Sequence, residues 1–399
     1  MKERLKAPEL RFPGFTDDWV QRKLGDLIEE KWIVRQSDGN HGNLYPRSEE
    51  FVDSGVPYVA ASNISSDGNS IDFSTVKYLP QRRADLFKKG VAFDGDILLA
   101  HNATVGPVLR LHTSFDKVIL STTLTLYRVD SEKIDPDFFL QNLRSSMFQN
   151  QLFETMKQST RNQVPILAQQ KLSISITSNL DEQERIGKLL TLLDDLIATN
   201  QRKLDLLKEQ KKGYLQKMFP KNGEKVPELR FAGFADDWEE RKFKDILKTH
   251  SFRSYLAGVS ENGEYEVIQQ GDKPIVGYSD GEPFTDYKDI TLFGDHTVSL
   301  YKPKSPFFVA TDGVKILSAD NFDGDYLYTT LERYKPEPQG YKRHFTILKN
   351  QDVWFTENME EQQKIGSFFK QLDDTIALHQ RKLDLLKEQK KGFLQKMFV

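Results

Sequence analysis

A segment of thirteen residues occurs twice in this chain without a single change. QRKLDLLKEQKKG fills residues 201–213 and returns at residues 380–392, and the similar endings YLQKMF and FLQKMF follow the two copies. A second repeat precedes each of them, as PELRFPGFTDDWVQRKLGDL from Pro8 and PELRFAGFADDWEERKFKDI from Pro227. A chain built in this way is expected to fold as two related halves on a shared frame, with dissimilar sequence placed between the repeats.

The repeats divide the 399 residues into six segments. We predict a repeat box at 1–27, a first variable region at 28–179, a first helix at 180–219, a linker with the second box at 220–246, a second variable region at 247–356 and a second helix at 357–399. Strand-like composition at 56–64, 91–101 and 120–129, with a helix from Ile134, predicts a mixed α/β first region. Segments 264–271, 290–301 and 307–318 predict strands in the second.

The two repeated helices carry a heptad pattern. Their apolar residues are spaced alternately four and three apart, which is the pattern of a coiled coil. The predicted seam consists of Ile186, Leu190, Leu193, Ile197, Leu204 and Leu207 in the first helix and Ile365, Leu372, Ile376, Leu383 and Leu386 in the second. Such a helix can also pack on its own domain, but two matched helices in one chain favour pairing with each other.

Charge predicts the direction of this pairing. Each helix is acidic in its first half and basic in its second, so an antiparallel pair places unlike halves side by side. It brings Lys211 toward Asp373 and Asp374, and Lys390 toward Asp194 and Asp195. The predicted architecture is α+β, with two mixed α/β domains joined by an antiparallel coiled coil of roughly 55–60 Å and related by a pseudo-twofold axis.

The sequence lacks the common catalytic motifs. It contains no GxxxxGK[ST], HExxH or GxSxG pattern, and its seven histidines lack metal-ligand spacing. Glu-x-Lys occurs at 209–211 and 240–242, where solvated charge is the simpler interpretation. Cysteine is absent, the N-terminus is charged and no apolar stretch reaches the length of a membrane span. We therefore expect a cytoplasmic protein with no membrane contact, no metal site and no catalytic residues.

The repeated elements resemble a known family, the DNA-specificity subunits of type I restriction–modification systems. The matching stretches are the two boxes, VPYVAASNI from Val56, FDGDILLAHNATVGPV from Phe93, FGDHTVSLY from Phe293 and FFVATDGVKIL from Phe307, together with the helix entries LDEQERIGKLLTLLDDLIA and MEEQQKIGSFFKQLDDTIA. The resemblance covers nearly the whole chain. One departure is that Ser178-Asn179 and Glu357-Asn358 stand where the family often has proline, which concerns only the helix cap.

The resemblance implies a function and a set of partners. Two target-recognition domains would each read one half of a bipartite, asymmetric site in double-stranded DNA, and the paired helices would space them. Two adenine methyltransferase (modification) subunits would bind, and restriction subunits with translocase and nuclease activity would complete the complex. S-adenosylmethionine, ATP and Mg²⁺ would be used by those partners, with no cofactor in this chain.

The candidate DNA-contacting residues are polar side chains able to form bidentate contacts with bases. They are Asn63, Arg82, Arg83, His101, Asn102, Arg161, Asn162 and Gln163 in the first variable region, and Gln269, Gln270, His296, Lys315, Arg343 and His344 in the second. Two other functions stay open. A duplicated scaffold that binds protein without reading DNA would carry the same repeats, whereas a single-chain nuclease or methyltransferase is disfavoured by the missing motifs.

Overall fold

The computed structural model describes residues 4–5, 7–65, 67–159, 161–221, 223–340 and 342–398. The chain divides into two structural units. The first unit contains the residues up to Gln201 together with those from Lys382 onward, and the second contains Arg202–Arg381. Each unit therefore contains one variable region, one repeat box and half of each repeated helix.

The described part of the first unit contains eleven strands. These are β1 (Arg4–Leu5), β2 (Trp19–Lys23), β3 (Ile33–Asp38), β4 (Val56–Val59), β5 (Lys77–Leu79), β6 (Val91–Ala92), β7 (Ile97–Asn102), β8 (Thr104–Arg110), β9 (Val118–Leu120), β10 (Leu124–Val129) and β11 (Ser173–Ile176). They form three sheets with the strand orders β1-β2-β11, β3-β10-β7-β8 and β5-β4-β9-β6. The third sheet is mixed, because β4 pairs with β9 in parallel.

Short α-helices lie between these strands, ahead of the long helix. Among the described residues they are α1 (Leu24–Glu29), α2 (Gln81–Ala84), α3 (Pro136–Arg144), α4 (Ser146–Lys157) and α5 (Ile166–Gln169), and α6 (Leu180–Lys217) then runs on into the second unit. Asp135 caps α3, since its Oδ1 accepts the N–H of Phe138 at 2.7 Å, as the Asp-Pro helix start predicts. The single helix expected from Ile134 is in fact two, because Ser145 is extended and caps α4.

The second unit uses a shorter set of elements. Its strands are β12 (Glu239–Lys242), β13 (Leu247–His250), β14 (Tyr265–Ile268), β15 (Ile275–Ser279), β16 (Thr291–Gly294), β17 (Leu300–Tyr301), β18 (Phe307–Val309), β19 (Val314–Ala319) and β20 (Asp352–Phe355). Its helices are α7 (Phe243–Ile246), α8 (Gly324–Tyr334), α9 (His344–Asn350) and α10 (Met359–Lys396). The sheets have the orders β12-β20, β13-β19-β16-β17 and β15-β14-β18.

The two variable regions share one topology although their sequences differ. The order β3-β10-β7-β8 in the first unit matches β13-β19-β16-β17 in the second, and the parallel pair β4 with β9 matches β14 with β18. Helices α1, α3 and α5 correspond to α7, α8 and α9 by their place between matched strands. The extra length of the first variable region is accounted for in part by α2 and α4, which lack counterparts in the described part of the second unit, whereas β6 corresponds to an antiparallel bridge between Phe284 and Phe307.

The repeat boxes anchor the ends of the long helices in the same way in both units. Arg11 makes a two-pronged ion pair with buried Glu182 at 2.5 and 2.8 Å, and Arg230 makes the same pair with Glu361 at 2.6 and 2.9 Å. The N–H of Leu10 donates to the carbonyl of Lys396. Each box thus ties the start of one repeated helix to the end of the other within its own unit.

Aromatic side chains of the boxes close the two main cores. Trp19 packs edge-on against Phe398 with ring centroids 6.1 Å apart, and Trp238 packs against Phe219 at 5.5 Å. All four rings are buried, with at most 4% of any of them exposed. The matching sequence of the boxes therefore produces matching cores, each of which holds the C-terminal end of one long helix.

The long helices pack antiparallel within each unit, as predicted. In the first unit the early residues of α6 share a core with the last residues of α10, and in the second unit the late residues of α6 share a core with the first residues of α10. Buried seam residues are Ile186, Leu190, Leu193, Ile197, Leu204, Ile365 and Leu383. Leu207, Leu372, Ile376 and Leu386 are half-buried.

The predicted ion pairs of the helices are also present. Lys211 Nζ lies 2.6 Å from Asp373 Oδ1 in the second unit, and Lys390 pairs with Asp194 in the first. Asp195 and Asp374 are exposed instead. Both helices continue through the glycine of the repeat, ending at Lys217 and Lys396, slightly inside the predicted bounds.

Asparagine supplies the helix caps where the family often has proline. Asn179 Oδ1 accepts the N–H of Glu182 at 3.3 Å, and Asn358 Oδ1 accepts those of Glu360 and Glu361 at 3.0 and 3.1 Å. A side-chain oxygen that accepts these N–H groups is the usual N-cap arrangement. The departure from the family pattern therefore leaves the helix start capped.

Candidate nucleic-acid interface

Three loops meet at one end of the β3-β10-β7-β8 sheet. They are the β7–β8 turn at Ala103, the segment 121–123 before β10 and the segment 161–164 before α5, and we call them the first loop edge. His101 joins them, because its N–H donates to the carbonyl of Thr123 at 3.0 Å and its carbonyl accepts the N–H of Val164 at 2.8 Å. The N–H of Ala103 donates to the carbonyl of Asn162 at 3.0 Å.

The second unit has an equivalent set of loops. They are the turn 295–299 between β16 and β17, the segment 310–313 before β19 and the segment that leads into α9 (339–340 and 342–343), and we call them the second loop edge. The N–H of Asp295 donates to the carbonyl of Gly313 at 2.8 Å, and the carbonyl of Asp295 accepts the N–H of His344 at 2.9 Å. These two bonds repeat those of His101.

The register of the paired strands defines which residues of the two loop edges are equivalent. Leu124 pairs with Ala100 and Thr125 with Leu99 in the first unit, while Val314 pairs with Gly294 and Lys315 with Phe293 in the second. His101 therefore corresponds to Asp295, and Thr125 corresponds to Lys315. The side chains pair accordingly, with His101 Nδ1 2.9 Å from Thr125 Oγ1 and Asp295 Oδ2 3.8 Å from Lys315 Nζ.

Both turns contain a non-glycine residue with a positive φ angle. Ala103 has φ of 63° and Val298 has φ of 58°. This conformation is costly for residues with a β-carbon, and most of all for a β-branched one such as valine. Strained backbone of this kind is held in place by its surroundings and is concentrated at functional sites.

The second loop edge borders a cleft rich in positive charge. The cleft is lined by Phe252, Arg253, Asp295, Lys315 and Arg343 among others. Arg253 and Arg343 are exposed and make no ion pair with any described residue. Lys315 is held by the carbonyl of Asp312 at 2.6 Å. Two unpaired guanidinium groups next to a fixed ammonium group can bind phosphate oxygens.

Three of the predicted DNA-contacting residues are buried and occupied by the protein itself. Asn63 donates to the carbonyl of Thr75 at 2.9 Å and accepts from the N–H of Ala60 at 2.8 Å. His344 is fully buried, with Nε2 accepting the N–H of Gln339 at 2.8 Å. These contacts favour structural roles for Asn63 and His344, whose polar side-chain atoms bond the protein itself, and His101 is buried with its Nδ1 bonded to Thr125.

Burial also fixes the protonation state of His101. The side chain is 5% exposed, and desolvation lowers the pKa of the imidazole to about 4. Desolvation disfavours the charged form of a histidine. At neutral pH the ring is therefore uncharged and can bond Thr125 through Nδ1.

Other predicted residues lie at the loop edges and stay predictions. Arg161, Asn162, His296 and Arg343 are exposed there, and Asn102, Gln163, Gln270 and Lys315 are half-buried. Asn102 and Gln163 face each other across an antiparallel bridge. Gln270 Oε1 accepts the N–H of His296 at 2.9 Å, and Gln269 donates to the carbonyl of Lys273 at 3.2 Å.

Arg82 and Arg83 lie on α2, outside the bonds that define the first loop edge. Arg83 is bound to Glu50 at 2.7 Å and stacks on Phe87 at 5.2 Å. Arg82 is exposed. The structure therefore separates this pair from the other candidates of the first unit, and the contacts of Arg83 favour a structural role.

Residues at these edges that were not predicted from the sequence include Arg253, Asp312 and Lys342. Arg253 lies in the cleft and Asp312 in the segment before β19, whereas Lys342 precedes Arg343 and is exposed. No signal in the sequence identifies these residues, and Asp312 corresponds to Thr122 of the first unit only through the register of the strands. That correspondence depends on strand pairing and is not visible in the sequences alone.

This fold defines a class of protein. Its members are duplicated α+β chains that carry matching loop edges on a repeated helical frame. The chain matches the family model described as type I restriction modification DNA specificity domain at residues 16–209 and again at 235–388. The chain therefore belongs to this family of DNA-specificity subunits.

Individual relatives agree with this assignment. The chain is 24% identical over 422 residues to a protein assigned as the MjaX type I restriction enzyme specificity subunit of Methanocaldococcus jannaschii, with 98% of this chain and 95% of that protein covered. It is 24% identical over 202 residues to the MjaVIII specificity subunit of the same organism, with 49% and 44% covered. The crystal structure of the type I S subunit from M. genitalium covers 99% of both chains at a TM-score of 0.68 and 17% identity, which shows the shared fold.

Two further properties concern the described residues as a whole. They contain no cluster of three or more histidine, aspartate or glutamate side chains arranged to hold a metal ion. None of the helices among them combines the length and the apolar character that crossing a bilayer requires.

Proposed function

We propose that each unit reads one half of a bipartite, asymmetric site in double-stranded DNA through its loop edge. The observation that carries this proposal is the recurrence of one loop arrangement in two variable regions whose sequences differ. Equivalent loops with different side chains suit two readers with different targets. Bases are read by polar side chains that reach into a groove, and the edges present Asn162 and Gln163 in one unit and His296 in the other.

The chain would supply recognition and no chemistry of its own. Two adenine methyltransferase subunits would dock on it, with restriction subunits added to form the endonuclease. S-adenosylmethionine, ATP and Mg²⁺ would be bound by these partners. Because the DNA that such a complex reads lies in the cytoplasm, we place its action there.

Charge argues that the partners contribute much of the affinity for DNA. The first variable region carries 16 Lys and Arg against 17 Asp and Glu, and the second carries 12 against 16. Binding to phosphates depends on cationic side chains and weakens steeply with salt. We therefore expect weak binding by the purified chain alone and tight binding once the methyltransferase subunits enclose the duplex.

The direct test is to express the chain with its cognate methyltransferase subunits and map methylated adenines in the host genome. A single bipartite motif with two dissimilar halves is expected. Exchanging residues 28–179 for the equivalent region of another family member should change one half and leave the other unchanged. A complex that assembles but methylates without a sequence motif would contradict the proposal and favour the protein-interaction scaffold.

A further inference from the structure

One buried residue in each unit connects the loops of the edge. His101 contacts segment 121–123 and segment 161–164 through its backbone and β10 through its imidazole. Asp295 contacts segment 310–313 and the start of α9 through its backbone, and its Oδ1 accepts the N–H of Phe345 at 2.8 Å. The exposed fractions of the two residues are 5% and 4%. Residues so deeply placed offer little surface for contact with a base.

We propose that His101 and Asp295 are equivalent positioning residues, each fixing the base-reading loops of its own unit in register with one another. This inference rests on the proposed function and names the residues that set the geometry of the reading surface. The residue that follows each in the chain, Asn102 or His296, is the polar side chain that begins the turn. A shift of the buried residue moves that side chain and the loop facing it together.

The side chains of His101 and Asp295 hold the loops by different chemistry. In the first unit a neutral imidazole bonds a hydroxyl group, and Thr125 also accepts a bond from Gln169 at 3.0 Å. In the second unit a carboxylate bonds a backbone N–H and faces the ammonium group of Lys315. The sequences of the pairs His101–Thr125 and Asp295–Lys315 do not resemble each other. Each pair nevertheless joins the strand that ends in the turn to the neighbouring strand.

The strained turns explain why such a residue is required. Ala103 and Val298 adopt positive φ angles, which an unsupported turn would relax. The residue two or three positions earlier in each turn is the one that bonds the adjoining loops. Base discrimination needs side chains held within a fraction of an ångström, so a relaxed turn should lose selectivity before it loses binding.

The test uses alanine and asparagine variants of His101 and of Asp295, each assembled with the methyltransferase subunits. Asp295→Asn keeps an oxygen that can accept the N–H of Phe345, and His101→Asn keeps a polar atom near Thr125. Each complex methylates plasmid libraries with randomised half-sites, and the methylated sites are identified by sequencing. Asp295→Ala should lower discrimination roughly tenfold at the half-site of the second unit only, and His101→Ala should do so at the half-site of the first unit only.

The asparagine variants should retain discrimination within about threefold of the parent, a rescue that loss of folding would not produce. Asp320→Ala is the matched control, because Asp320 follows the opposite end of β19 and forms an exposed ion pair with Lys248 at 2.6 Å. Thermal unfolding of every variant is recorded alongside.

The outcomes separate the two proposals. A parent complex without a sequence motif contradicts the proposed function itself. A parent motif that persists unchanged in both alanine variants overturns the positioning role and leaves the proposed function intact. Relaxation of both half-sites by a single alanine variant also overturns it, because the effect would then be general destabilisation.

Discussion

Lys211 lies between two carboxylates, with its Nζ 2.6 Å from Asp373 Oδ1 and 2.5 Å from Glu332 Oε2. In the first unit the repeated pair is Lys390 with Asp194, and the third member is Arg144, whose Nη1 is 2.7 Å from Asp194 Oδ2. Glu332 and Arg144 occupy matching places near the ends of α8 and α3. The same lysine–aspartate pair of the helices is therefore completed by an acid in one unit and a base in the other.

This difference predicts unequal effects of removing the two equivalent lysines. Lys211→Ala leaves two partly buried carboxylates without their cation and should lower the free energy of unfolding by about 2–3 kcal/mol. Lys390→Ala leaves Asp194 paired with Arg144 and should cost less, about 1 kcal/mol. Urea unfolding measures both, with exposed Lys208→Ala as the control. Equal losses for the two lysines would contradict the role assigned to the third residue.

The equivalent aspartates should show the reverse order. Asp194→Ala leaves Arg144 and Lys390 as two partly buried cations and should cost about 3 kcal/mol, whereas Asp373→Ala leaves Lys211 paired with Glu332 and should cost about half as much. Burial lowers the pKa of Lys390, and Arg144 lowers it further, so this cation depends on Asp194. Asp195→Ala, on the adjacent exposed position, is the control. A larger loss for Asp373→Ala would refute the prediction.

The buried imidazole of His101 should make stability depend on pH. Its folded pKa of about 4 lies below the ordinary 6.5, so the unfolded chain binds the proton more readily between these values. The contribution is complete above pH 6.5 and is lost as the pH falls toward 4, by at most about 3 kcal/mol. His101→Asn removes this titration. Unfolding at pH 7 and pH 5 should therefore differ less for the variant than for the parent, and an identical difference would argue against the buried neutral ring.

The cleft of the second loop edge should contribute to affinity without contributing to selectivity. Arg253→Ala combined with Arg343→Ala should reduce the slope of log K against log salt by up to about 2, the number of phosphate contacts removed. The control is the double variant Lys242→Ala and Lys248→Ala, which removes the same charge from residues already paired with Asp352 and Asp320. DNA binding by the methyltransferase complex is titrated over a range of salt. An unchanged slope, or an altered motif, would contradict phosphate binding in this cleft.

The helical frame was predictable because its information is local. A heptad repeat is legible within one helix, and the acid-to-base gradient along it predicts the antiparallel direction. The pairing of Lys211 with Asp373 and of Lys390 with Asp194 followed directly from that gradient. The cap at Asp135 was likewise local, although the break at Ser145 within the following helix was not foreseen.

The candidate site was predictable only in part. Several of the predicted polar residues near turns do lie next to one another, including Asn102 with Gln163 and Gln270 with His296. The burial of Asn63, His101 and His344 was not foreseen, because burial depends on which strands and loops pack over them. The sequence alone does not show how strands and loops pack over a given residue.

By itself the sequence determined that this protein has two halves on one repeated helical frame, since the repeat box and the heptad-patterned helix each occur twice in the same order. It did not disclose that the dissimilar regions share a topology, or that His101 and Asp295 occupy one place in it. Those relations depend on pairing between strands far apart in the chain, where hydrogen bonds join backbone groups whatever side chains they carry. Only the tertiary structure could therefore align a histidine with an aspartate.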